Sequence, residues 1–192
     1  MRIGLFGGSF NPIHNAHIAL GKTMLSAMSL DEVWFMVSPQ NPLKQNTTLL
    51  EEEIRLMLTR MALEDEPQLT ASDYEFHLPR PSYTWDTLQH LKQDYPNDTF
   101  VLIIGGDNWA VFDKWAHHDD IIRNYQLAIY PRKDDNIKPD DLPGNVTLVN
   151  VPEINVSSTM IRQRIQQGLP INGLVPEKVA LEIQIRRLFL EK

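Results

Sequence analysis

Two histidines three residues apart, His14 and His17, follow the pair Gly7–Gly8 and Pro12 in the segment GGSFNPIHNAH. Paired glycines let a backbone approach a ligand closely, the proline stiffens the turn, and the helix start that follows offers unbonded N–H groups to an anion. Two imidazoles at such an entrance could hydrogen-bond negative charge developing on phosphate oxygens. The same spacing also suits a helix cap or a packed core pair, and spacing alone does not separate these readings. Near the other end, NVSSTMIRQR places Ser157, Ser158 and Thr159 at a second helix start, with Arg162 on the following turn. Hydroxyls, backbone N–H groups and a planar cation together suit a polyphosphate, although a good N-cap beside an exposed arginine would read the same way.

A third group is dispersed. Asp107 follows Ile104, Gly105 and Gly106 at the end of the most apolar strand pattern, where a carboxylate suits ribose hydroxyls or a hydrated cation. PSYTWDT, residues 81–87, opens a helix with the hydroxyls of Tyr83, Thr84 and Thr87, and Trp115 and Arg132 lie downstream. Taken singly, Trp115 reads as core and Arg132 as a surface cation. Three other chemistries lack their parts. Gly21-Lys22-Thr23 copies the end of a P-loop, but Ala16 stands at the earlier glycine position and the triplet falls inside a helical pattern, so Lys22 reads as a solvated helix residue. No G-x-G-x-x-G supports hydride transfer, and no His-Glu-x-x-His or partner carboxylate supports a zinc hydrolase, so no protein-built metal site is expected.

These residues need a scaffold, and the hydrophobic pattern supplies one. Short apolar runs at Ile3–Phe6, Val33–Val37, Phe100–Ile104, Leu127–Tyr130 and Val146–Val151 read as strands buried on both faces. Helical patterns lie between them: Ile18–Met28; a stripe from Leu50 to Met61 opened by a Thr48/Glu51 capping box; Thr84–Tyr95; Ser157–Gln167 with Gly168 at its end; and a helix after Pro176 running to Leu190 with Leu181, Ile185 and Leu188 on one face. Alternating strands and helices predict a single α/β domain over residues 1–192 with a doubly wound parallel sheet. In such sheets ligands sit beyond the carboxyl ends of the strands, which is where the three groups above fall. Residues 38–47, with Lys44, and 133–144 read as loops.

Composition narrows the function further. The 192 residues carry 18 Lys plus Arg against 25 Asp plus Glu, a net charge of -7, which offers no surface basic enough for nucleic acid. There is no cysteine, so disulfides, thiol nucleophiles and cysteine-ligated metals are excluded. Runs such as Phe100–Ile104 fall far short of the roughly 20 apolar residues of a bilayer span, and no signal-peptide layout is apparent, so no membrane partner and a cytoplasmic location are expected.

In order and spacing, GGSFNPIHNAH, PSYTWDTL, LIIGGDNWAVFDKW, Arg132 and VSSTMIR resemble the HxGH nucleotidyltransferase superfamily, and within it the bacterial nicotinate-nucleotide adenylyltransferases. The resemblance covers most of the chain. It implies a Rossmann-like fold and a reaction in which the phosphate of nicotinate mononucleotide attacks the α-phosphorus of ATP, with Mg2+ assistance and no covalent enzyme intermediate. It implies catalysis by His14, His17 and Arg162. ATP would meet Gly7, Gly8, Ser9, Phe10, His14, His17, Lys44, Gly105, Asp107, Ser157, Ser158, Thr159 and Arg162, and the acceptor would meet Tyr83, Thr84, Thr87, Trp115 and Arg132. Ala16 departs from the family's glycine, and Asn11 stands where many members carry Asp. Alternatives from the same residues are a sister enzyme for nicotinamide mononucleotide or another phosphorylated acceptor, and a nucleotide-binding regulator without turnover. Homo-oligomerisation is left open.

Overall fold

Alternate residues of the first strand face opposite layers, and both layers are apolar, which is why the strand reads as a continuous hydrophobic run. Ile3 and Leu5 join a core with Leu88, Leu91, Leu102, Ile104, Ile121 and Ile129, while Phe6 joins the other with Met24, Phe35, Leu58, Ile103, Ile161 and Val179. The computed structural model describes residues 1–39, 49–131, 137–152 and 155–190. Within them the order is β1 (Arg2–Gly8), α1 (Asn15–Ala27), β2 (Glu32–Val37), α2 (Glu52–Leu63), β3 (Leu69–Ser72), α3 (Thr84–Asp94), β4 (Thr99–Gly105), α4 (Gly106–Trp109), α5 (His118–Asn124), β5 (Gln126–Tyr130), β6 (Val146–Leu148), α6 (Ser158–Gln166) and α7 (Glu177–Ile185).

The strands form one six-stranded sheet in the order β3-β2-β1-β4-β5-β6, every pair parallel. Helices α1, α2, α6 and α7 contribute to one core, and α3 and α5 to the other. This is the expected doubly wound α/β arrangement. The chain winds outward from β1 through β2 to β3, then returns to lay β4 on the other side of β1. The reversal opens a crevice at the carboxyl ends of β1 and β4, where Gly7–Gly8 and Gly105–Gly106 lie. Among the described residues no helix is long and apolar enough to cross a membrane.

Several boundaries differ from expectation for identifiable reasons. Helix α2 starts at Glu52, because the Leu50 N–H donates to Asn11 Oδ1 at 3.2 Å and the Leu50 carbonyl accepts from Arg55 Nε at 2.9 Å, outside any helical ladder. The expected cap, Thr48, lies outside the described residues. Strand β6 ends at Leu148, with one further ladder bond from the Val149 N–H to Ile129 O at 2.8 Å. Beyond it β5 stops at Tyr130 and Pro131 offers no N–H.

Helix α7 turns Val179 and Ile183 inward, at 0% and 3% exposure, and leaves Leu181 and Ile185 at 56% and 66%. The expected apolar face was therefore wrong by part of a turn. This helix stops at Ile185 in a Schellman motif, with Arg187 at φ 55° and the Leu188 N–H bonded to Ile183 O at 3.0 Å. Leu188 packs on the core after this reversal. Gly168, at φ 68°, closes α6 in the same way. Gly21, the P-loop decoy, lies on the buried side of α1, where a Cβ would come within 2.9 Å of the Phe35 ring. Its neighbour Lys22 is exposed and pairs with Glu66.

Candidate active site

The turn after β1 is shaped by a folded-back phenylalanine. Phe10 adopts φ 44°, unfavourable for a bulky residue. Its ring is held at 2% exposure, 5.6 Å from Phe6, 5.5 Å from Phe35 and edge-on to His17 at 5.1 Å. Gly8 makes this possible, since a Cβ there would stand 2.8 Å from the Phe10 ring, whereas a Cβ on Gly7 would meet open space. Phe10 can therefore offer a ligand little but its backbone.

Two residues on, this turn meets the first turns of α6. Ser158 Oγ donates to the Pro12 carbonyl at 2.9 Å, and Arg162 Nη1 donates to the Asn11 carbonyl at 2.8 Å. Asn11 is itself buried, its Oδ1 receiving the Leu50 N–H. Ser157 caps α6 by accepting the Met160 N–H at 3.2 Å, and Arg162 Nη2 reaches Thr159 Oγ1 at 3.3 Å. Burial draws the pKa of the Arg162 guanidinium below its ordinary value. Between the two turns lies a cleft of about 750 Å³ lined by Gly7–Asn11, His14, Ala16, His17, Ser157–Thr159 and Arg162. That volume falls within the range that accommodates a nucleotide-sized ligand.

His14 is the N-cap of α1 and His17 its third residue. Their rings stack at 3.6 Å and 18°, and the His14 backbone N–H donates to His17 Nδ1 at 3.3 Å. With Nδ1 accepting, the neutral His17 ring carries its proton on Nε2, a hydrogen-bond donor. His14 is 4% exposed, and His17 is the more accessible of the two.

A second, smaller cleft of about 180 Å³ abuts the first, running between Gly7–Gly8, the start of α3 and Trp115. Tyr83 is the N-cap of α3 and makes no side-chain cap bond, so no cap side chain takes up the first-turn N–H groups of Thr84 and its neighbours, which could receive an anion. Thr87 Oγ1 donates to Glu75 Oε1 at 3.0 Å. Burial pushes the Glu75 carboxyl above its ordinary 4.5, opposed by hydrogen bonds from Thr87 and Ser38. Trp115 packs on Phe112 at 5.2 Å, and its Nε1, like Ser82 Oγ, is enclosed without a hydrogen-bond partner among the described residues.

Beneath both clefts lies Arg55, 1% exposed. Its guanidinium donates to the carbonyls of Ser9 at 2.7 Å, Ser38 at 2.9 Å, Leu50 at 2.9 Å and Pro39 at 3.4 Å. Desolvation lowers its pKa from the ordinary guanidinium value, with Glu52 acting in the opposite sense. It ties the ends of β1 and β2 to the entrance of α2. Among the described residues no three His, Asp or Glu side chains converge as a metal cage.

Residues 5–164 match the family model described as cytidylyltransferase-like. The probable nicotinate-nucleotide adenylyltransferase of Bacteroides thetaiotaomicron is 46% identical over 179 residues, covering 93% of this chain and 89% of that one. The corresponding protein of Cytophaga hutchinsonii is 45% identical over 189 residues and 98% of both chains. The chain belongs to the nicotinate-nucleotide adenylyltransferase family. Its fold is shared with the Plasmodium falciparum nicotinic acid mononucleotide adenylyltransferase complexed with NaAD, at TM-score 0.82 and 21% identity over 98% of this chain and 97% of that one.

As a member of the adenylyltransferase family, the chain brings most of its expected site residues to one crevice. Gly7, Gly8, Ser9, His14, His17, Ser157, Ser158, Thr159 and Arg162 line the larger cleft, and Tyr83, Thr84, Thr87, Gly105 and Trp115 the smaller. Asp107 sits exposed in α4 with Oδ1 over Gly105. Lys44 and Arg132 lie outside the described residues. Ala16, the departure from the family glycine, lines the larger cleft. Sequence reasoning missed Arg55 and Glu75, charged residues in otherwise ordinary helical and turn segments. It also gave Asn11 little weight, although a buried amide beside a proline could have signalled a turn built from side-chain bonds.

Proposed function

We propose that this chain transfers the adenylyl group of ATP to nicotinate mononucleotide, giving nicotinate adenine dinucleotide and pyrophosphate as a step of NAD biosynthesis in the cytoplasm. The observation that carries the reading is the clamp of Ser158 and Arg162 on the carbonyls of Pro12 and Asn11, which joins two helix N-termini around one nucleotide-sized cleft beside a smaller one. The names of the relatives at 45–46% identity support it.

In this reading the triphosphate lies between the turn after β1 and the start of α6, where helix N–H groups and Arg162 offset its charge. The acceptor's pyridine ring stacks on Trp115, and its carboxylate meets the N–H groups at the start of α3. An oxygen of the acceptor phosphate forms a bond to the α-phosphorus as the bond to the β-phosphate bridging oxygen breaks, and pyrophosphate leaves with that electron pair. A phosphate monoester has its second pKa near 6, so the nucleophile is already a dianion at neutral pH and needs no general base. The work left to the protein is alignment and stabilisation of charge on the equatorial oxygens. His17 Nε2–H supplies one such donor, held in place by the bond to Nδ1. Mg2+ would enter on the ATP phosphates with Asp107 as the carboxylate at hand, consistent with an ion that usually takes one or two carboxylates plus substrate phosphates.

The test is pyrophosphate release from Mg-ATP with nicotinate mononucleotide, nicotinamide mononucleotide or phosphopantetheine as acceptor. Turnover is expected with the first. ATP binding without turnover on any acceptor would replace the enzyme by a regulator.

A further inference from the structure

The two clefts share four residues: Gly7, Gly8, Asn108 and Tyr130. Under the adenylyl-transfer reading, on which this inference rests, one cleft holds ATP and the other the acceptor. The new phosphate–phosphate bond can then form only where the clefts meet. The glycines present backbone there, and Asn108 and Tyr130 add side chains. Tyr130 is the last residue of β5, paired in register with Gly105 of β4. Its ring stands perpendicular to Phe6 with centroids 6.1 Å apart, which fixes its plane. Its hydroxyl reaches over Gly105, where a Cβ would come within 3.1 Å of it and within 2.5 Å of Asp107 Oδ1. Gly105 thus does more than shape a turn, because its missing side chain is the space that the tyrosine hydroxyl enters on its way to the junction.

We infer that Tyr130 is a catalytic residue whose hydroxyl donates a hydrogen bond to the acceptor phosphate at the junction of the two clefts. A neutral donor suits that position. It can hold a phosphate oxygen close to the α-phosphate, where the Asp107 carboxylate, on the same side of Gly105, would repel it. Since the acceptor phosphate becomes part of the new diphosphate, the contact should act mainly on the bond-forming step.

The experiment compares wild type with Tyr130→Phe, which keeps the ring packed on Phe6 and removes only the hydroxyl. Steady-state kinetics with Mg-ATP and nicotinate mononucleotide should show kcat lowered about 10- to 100-fold, the range for losing one hydrogen bond to a charged oxygen, with both KM values within about threefold. The melting temperature should be unchanged. A kcat within about twofold of wild type would overturn the assignment, and so would a loss confined to the KM for ATP. Wild type measured alongside keeps the two readings apart: inactivity of wild type on every acceptor defeats the function, whereas an active wild type matched by Tyr130→Phe defeats only the role of Tyr130.

Discussion

Replacing Arg55 by methionine tests whether one buried cation holds the strand ends under both clefts. The guanidinium makes three bonds of 2.7–2.9 Å to the carbonyls of Ser9, Ser38 and Leu50. Removing it takes the guanidinium partner from three half-buried carbonyls, at about 1–3 kcal/mol each. Against this, methionine refills most of the volume, and the cost of holding a guanidinium out of water, several kcal/mol, is relieved. The net expectation is a destabilisation of about 3 kcal/mol, or roughly 6–12 °C in melting temperature for a chain of this size. Arg55→Lys, which keeps the charge but loses the fork, should lie between. Thermal unfolding by circular dichroism measures the shift. ATP kinetics read its functional consequence, because Ser9 lines the larger cleft and Ser38 the smaller. The KM for each substrate should rise more than kcat falls. A melting temperature within about 2 °C of wild type, or above it, would refute the reasoning by showing that relief of desolvation outweighs the lost bonds.

Three further outcomes follow from the site. His17→Ala should lower kcat by about two to three powers of ten, the scale of losing a transition-state donor, with a smaller change in ATP affinity by calorimetry; an equal loss of affinity with full turnover would contradict the role. Trp115→Ala should raise the KM for the mononucleotide while leaving that for ATP in place, and unaltered acceptor affinity would return Trp115 to the core. Glu75 has a carboxyl raised above 4.5 by burial, so the folded chain binds more protons than the unfolded one above that pH. Its contribution to stability is complete below 4.5 and is lost as pH rises through the folded-state value. The melting temperature of Glu75→Gln relative to wild type should therefore climb between pH 4.5 and neutrality, and a difference independent of pH would remove Glu75 from the account.

What could be read before the fold was known follows from how local each signal is. Glycine pairs, a proline, a hydroxyl cap and Gly168 act within a few residues, so the turn after β1 and the limits of α6 were readable. Strand β3 spans four residues, of which only Leu69 is buried, and such a short edge strand carries little hydrophobic pattern. Helix α5 opens on His117 in the left-handed region, without a hydroxyl or carboxylate cap to announce it. Leu181 and Ile185 have the spacing of a core stripe, yet the packing of α7 selects Val179 and Ile183, a choice made by the neighbouring elements and invisible in α7 alone. Arg55, Glu75 and Asn11 escaped for the same reason. Each acquires its role from partners on other segments, at separations such as 46 residues between Arg55 and Ser9.

The most direct measurement is a crystal structure with a non-hydrolysable ATP analogue bound. The account places the triphosphate between the turn that carries Pro12 and the first turn of α6, with His17 Nε2 about 3 Å from an α-phosphate oxygen. A triphosphate bound elsewhere, or His17 turned away from the α-phosphorus, would contradict it.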